Sequence, residues 1–222
     1  MTHLKQLAAG FAFAAAVGLC AAPASATVIL TFGQVGNGNT ITGTNNGAGS
    51  TTISGTDIDV TITQIDAGLG TPIDAFFTLS ATSTGAAVNV AGNVIQEYSG
   101  SFCITSLAGC LGTNYLSGTF SDSTFGAAGG AALTMSVANP PATLDFQSDV
   151  ISALDLGRGL SFSFANVSPP VGITAGSLSS FESSVSGTAS ANVGQRTPEP
   201  ATLGLLGIAL AGLGFMQRRR QS

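Results

Sequence analysis

Histidine and lysine are almost missing from this chain: each occurs once, as His3 and Lys5, within a segment read below as removed. What remains has no Ser-His-Asp or Cys-His catalytic set, no histidine metal site and no lysine to form a Schiff base. Tryptophan is absent and only Tyr98 and Tyr115 represent tyrosine, so the aromatic platforms on which sugar rings stack are scarce. Charge is scarce too, at 8% of residues. Between residues 27 and 196 only Arg158 and Arg196 stand against ten carboxylates, a formal charge of −8 (2 − 10). A surface with so few cations repels phosphate backbones, which excludes nucleic acid as a partner.

The chain is instead rich in small residues, with 30 glycines among 222 positions. Such a composition disfavours long helices and suits short strands joined by turns. The clearest pattern is Asp57-Ile58-Asp59-Val60-Thr61-Ile62-Thr63, whose alternation predicts a strand with Ile58, Val60 and Ile62 facing a core. Leu160, Phe162 and Phe164 alternate in the same way. Further strands are predicted at 27–32, 75–82, 86–97, 131–137 and 176–190. Residues 33–50 read as a turn-rich stretch, with tight turns favoured at Asn37-Gly38 and Asn46-Gly47. Ser-Gly-Thr occurs at 54–56, 117–119 and 186–188, but the flanking residues do not match and no repeat array follows. The fold class is therefore mostly β, an antiparallel β-sandwich-like domain; alternation alone does not separate a sandwich from a barrel.

The two ends carry addresses. A polar start with His3 and Lys5 leads into an apolar, alanine-rich run from Leu7 to Ala22, closed by Ala24-Ser25-Ala26. The small-x-small pattern is what signal peptidase accepts, so residues 1–26 read as a signal peptide cut after Ala26. Leu19 before Cys20 leaves no small residue for a lipoprotein site. At the other end Pro198-Glu199-Pro200 precedes an uncharged run from Ala201 to Met216, and Arg218, Arg219 and Arg220 follow. Sixteen helical residues cover ~24 Å, a marginal membrane span, and the arginines would hold the tail in the cytoplasm. The segments are thus 1–26 signal peptide, 27–188 β-rich extracytoplasmic domain, 189–200 linker, 201–217 transmembrane helix and 218–222 basic cytoplasmic tail. Gly204, Gly207, Ala211 and Gly214 fall on one face of that helix, as any glycine- and alanine-rich segment can arrange.

Pro198, Glu199 and Pro200, the Gly/Leu/Ala-rich run and the arginine cluster together resemble the PEP-CTERM sorting domain, with Thr197 where that family commonly has valine. The resemblance implies an exosortase, a membrane-embedded cysteine transpeptidase-like enzyme of diderm bacteria, as the partner that processes the chain, and an association with exopolysaccharide. It further implies passage through the inner membrane to the outer surface or extracellular matrix. Two prolines hold the motif extended and remove two amide donors, so it stays out of helix and sheet and presents itself to a protease.

The exported part holds two cysteines, Cys103 and Cys110, and an oxidising compartment predicts a disulfide between them. Asp57 and Asp59, at i and i+2, could ligate calcium or flank a glycosidic bond, but the neighbouring Thr61 and Thr63 make a solvated polar face the simpler reading. No metal, cofactor or catalytic residue is assigned. The functional expectation is a non-enzymatic surface or matrix protein, linked to exopolysaccharide or biofilm matrix, with signal peptidase, an exosortase-like enzyme and the membrane as partners. A calcium- or polysaccharide-binding surface module of the same topology is the alternative.

Overall fold

The computed structural model describes residues 26–36, 38, 40–128, 132–139, 142–152 and 154–192. Thirteen strands occupy them: β1 Thr27–Gln34, β2 Ile41–Gly47, β3 Ser50–Ile65, β4 Ile73–Ser83, β5 Val88–Val90, β6 Asn93–Leu107, β7 Leu111–Ala128, β8 Ala132–Asn139, β9 Leu144–Gln147, β10 Asp155–Ser168, β11 Ile173–Thr174, β12 Ser177–Leu178 and β13 Phe181–Asn192. No helix occurs among the described residues.

Every pairing is antiparallel, and the main ladder runs β6-β4-β3-β1-β13-β10-β8-β7. Strands β6 and β7 then pair with each other from Asn93↔Ala128 to Leu107↔Leu111, which returns the ladder to its start. The mostly β, antiparallel expectation holds, but its sandwich-like form is corrected: pairing of β6 with β7, which alternation along single strands does not encode, makes the sheet a closed barrel and not two facing open sheets. Two of its eight positions are shared. Strand β2 takes over from β1 between β3 and β13, and β9 pairs with β7 beyond the reach of β8. Eight strands enclose a space that side chains fill, and here they fill it with phenylalanine and aliphatic residues.

Ile58, Val60 and Ile62 are buried while Asp59 and Thr63 are exposed, as the alternation predicts, and Leu160, Phe162 and Phe164 are buried likewise. The turn-rich reading of 33–50 requires correction. Strand β2 lies within it, and the β2–β3 turn centres on Ala48 and Gly49, both at positive φ, rather than on Asn46-Gly47. Strands β7 and β9 were not foreseen. The linker reading also starts too early: residues 189–192 continue β13, with Ala189 and Ala191 buried beside β1 and β10. Their small side chains look like linker in sequence, but alanine at alternate positions is what a crowded barrel wall accommodates.

The three Ser-Gly-Thr triplets share a structural role. Gly187 of β13 lies between Phe32 of β1 and Phe162 of β10 in register, and a methyl group on it would come within 2.5 Å of Phe32 and 2.9 Å of Phe162. Gly118 of β7 lies between Phe102 of β6 and Phe146 of β9, at 3.0 and 3.1 Å by the same measure. Gly55 leaves room for Ile41 and Ile58, each at 2.6 Å. In each triplet the serine and threonine flank an inward glycine over which large side chains close. The two phenylalanine rows meet in the core, where the Phe102 and Phe162 rings stand 5.6 Å apart, edge to face, and Phe77 joins at 4.9 Å from Phe32.

Candidate functional site

Strand β1 pairs with the last residues of β13, Thr27 opposite Ala191, so the two ends of the barrel emerge side by side. Ala26 is exposed at that end. Ala24, the motif Pro198-Glu199-Pro200, the apolar run 201–217 and Arg218–Arg220 lie outside the described residues. Six residue steps separate Asn192 from Pro198, so the covalent chain allows at most roughly 20 Å between them. No helix among the described residues is long and apolar enough to cross a membrane.

Cys103 and Cys110 are joined by a disulfide with Cα atoms 5.9 Å apart. The bond staples the β6–β7 hairpin, folding its tip onto the outer wall. There the Gly109 amide donates to Asp57 Oδ1 at 2.6 Å. Asp57 sits on a bulge between Gly55 and Ile58 with φ 51°, its own amide donating to Thr78 Oγ1 at 3.0 Å. Its carboxylate is thus a fastening for the hairpin. Asp59 faces outward and lines a shallow groove with Asp74 and Ser106. The bulge separates the roles of two carboxylates that an unbroken strand would place alike, and no group of three potential metal ligands occurs among the described residues.

Polar groups within the barrel gather at the end opposite the termini. The connection from β10 to β13 folds as the β11–β12 hairpin across that opening, burying Ser177 and Leu178. Beneath it, the Gln96 amide donates to Gly85 O at 2.7 Å, Gly49 O at 3.2 Å and Ser177 Oγ at 3.1 Å. Gln96 Oε1 accepts from Tyr98 OH at 3.0 Å and from the Leu178 amide at 3.2 Å. Thr51 Oγ1 bonds Ser177 Oγ and donates to Leu178 O. Burial pushes the Tyr98 phenol above its ordinary range, partly opposed by Thr51. The trace in sequence is the polar Gln96 at an inward position between Val94 and Tyr98. Such a satisfied cluster fixes the hairpin in place; it offers neither a base nor a charged group for chemistry.

Comparison with known families locates the functional signal elsewhere. Residues 196–220 match the family model described as the PEP-CTERM protein-sorting motif. The C-terminus carries this sorting motif. The match spans Pro198, Glu199 and Pro200 and extends through Arg220, and it leaves the barrel outside. No curated protein and no solved structure matches the chain. The sorting motif implies processing by an exosortase, and with it export through the membrane and sorting to the cell surface.

Proposed function

We infer that the chain is an exported, non-enzymatic surface or extracellular-matrix protein whose barrel is the cargo of its C-terminal sorting motif. The match over residues 196–220 carries this reading. Signal peptidase removes residues 1–26, the run 201–217 holds the intermediate in the inner membrane with Arg218–Arg220 in the cytoplasm, and an exosortase-like enzyme acts at Pro198-Glu199-Pro200. The mature barrel then resides at the outer surface or in the matrix, in association with exopolysaccharide. Support for a non-enzymatic role comes from the chemistry of the barrel: its fully buried polar residues are serines, threonines and one glutamine, and its core is packed with hydrocarbon. Asp57 fastens a hairpin, which weakens the calcium alternative.

The test is intact mass of the chain from a host with and without its exosortase, comparing wild type with the Pro198→Ala/Glu199→Ala/Pro200→Ala variant. Wild type should lose residues beyond the motif only when the enzyme is present, and the variant should keep them. A C-terminus retained equally in all samples refutes the sorting reading and leaves a plain tail anchor.

A further inference from the structure

The bond that the signal reading breaks lies at the edge of the barrel wall. Ala26 is followed at once by β1, which begins at Thr27. Thr27 faces Ala191 and Val28 faces Ser190, both of β13. On its other side β1 is met only from Ile29 onward, where the Asp66 amide donates to Ile29 O at 2.8 Å and Leu30 faces Ile65 of β3. Among the described residues, β13 is thus the sole ladder partner of the first two residues after the junction. Behind them a register shift turns Ile29 and Leu30 both into the core, each fully buried, so β1 cannot slide outward without emptying two core positions.

Exposed side chains at Ala26 and Thr27 do not by themselves make the bond between them cleavable. A protease takes its substrate as an extended strand and bonds the backbone N–H and C=O groups, as an added strand bonds a sheet edge. At Thr27 and Val28 the edge that would be offered is the one already covered by β13, and a strand held in a barrel wall does not enter a cleft. Among the described residues β13 is also the last strand in the chain. During export every other strand is therefore outside before the partner of Thr27 arrives.

We propose that closure of the barrel by β13 ends access to the signal junction: the Ala26–Thr27 bond is cut while β13 is unpaired and is protected once β13 pairs with β1. The inference rests on the reading of residues 1–26 as a signal peptide and adds the regulation of that site. The step is a hydrolysis, in which the amide bond breaks and water supplies the hydroxyl of the new Ala26 carboxyl and a proton to the new Thr27 amine. Cutting then has a window, which opens when Thr27 emerges and closes when β13 has emerged and paired. Because Thr27 and Asn192 stand at the same end of the barrel, a chain that misses this window still closes with its signal peptide attached, and stays uncut.

The full-length precursor, in non-ionic detergent, is diluted from urea and given purified bacterial signal peptidase after increasing delays, with the new N-terminus read by mass. Chains met at once should be cut after Ala26. Chains met after the circular dichroism has reached its native value should be cut at least about tenfold more slowly, because cutting then waits for local opening. A second arm ties the protection to β13. The Val28→Cys/Ser190→Cys variant puts cysteines at facing positions, within disulfide reach, and locks β1 to β13 on oxidation. At a temperature where folded wild type is cut measurably, the oxidised lock should be cut more slowly still, while Val28→Cys alone matches wild type. Folded and unfolded wild type cut at one rate, or a lock cut as fast as the single-cysteine chain, overturns the proposal. A precursor cut after Ala26 in no state removes the signal reading instead, and the proposal with it.

Discussion

Replacing Gly187 by alanine adds one methyl group where two core rings leave no room for it. The backbone there is ordinary extended strand, so the cost is steric and not conformational. The new carbon would stand 2.5 Å from Phe32 Cε1, 2.8 Å from its Cζ and 2.9 Å from Phe162 Cδ1, against ordinary carbon contacts of about 3.5–4.0 Å. Two aromatic rings must therefore retreat by about 1 Å. Neither has space: Phe32 packs on Phe77 at 4.9 Å, and Phe162 on Phe77 at 5.4 Å and on Phe102 at 5.6 Å. Overpacking of this kind costs about 1–3 kcal/mol, and in a domain of this size each kcal/mol lowers Tm by roughly 2–4 °C. Thermal unfolding followed by circular dichroism should show a Tm lower by roughly 2–12 °C. Gly126→Ala is the control, because a methyl group there meets nothing within 4 Å. Phe32→Leu in the Gly187→Ala background should cost less than it does alone, the two changes being coupled through one contact. A Gly187→Ala protein as stable as wild type would refute the claim that these rings close over the glycine.

Reducing the Cys103–Cys110 disulfide should destabilise the barrel by about 2.5 kcal/mol, the loop-closure value for so short a segment, read as a lower denaturant midpoint with dithiothreitol; an unchanged midpoint would show that the hairpin holds itself. Asp57→Asn should be milder, about 1 kcal/mol, because the amide oxygen still accepts from Gly109, whereas Asp57→Leu leaves that donor unpaired and should cost more; chemical denaturation distinguishes the two. The Tyr98 phenol is raised by burial, so the native state keeps its proton after the unfolded state has begun to lose it near pH ~10. The stability it contributes is present below that pH and lost as pH rises beyond it. Tyr98→Phe should flatten this alkaline decline in denaturation midpoints, and an identical slope in both proteins would contradict the burial.

How much was legible in the sequence depended on whether a local pattern carried the signal. Strands β3 and β10 announced themselves through alternation of branched or aromatic residues with small or polar ones, a pattern that needs no knowledge of neighbours. Strand β7, Leu111 to Ala128, did not. Its inward positions include Gly118, and its serines and threonines read as loop until Phe102 and Phe146 are seen to close over the glycine from either side. The same blindness hid β2, where Gly43 makes room for the Phe181 ring. Glycine in a strand is informative only with its cross-strand partner, and that partner is remote in sequence.

The sorting motif was legible for the opposite reason, since Pro198, Glu199, Pro200 and the terminal arginines fall within one short stretch of consecutive sequence that carries its own signature. Charge balance and the scarcity of histidine and lysine likewise follow from composition alone. Tertiary structure decided the rest. It closed the ladder through β6 and β7, turned Asp57 into a hairpin fastening, and gathered Gln96, Tyr98, Thr51 and Ser177 from three strands into one network. These are consequences of register between strands distant in sequence, which local periodicity does not encode.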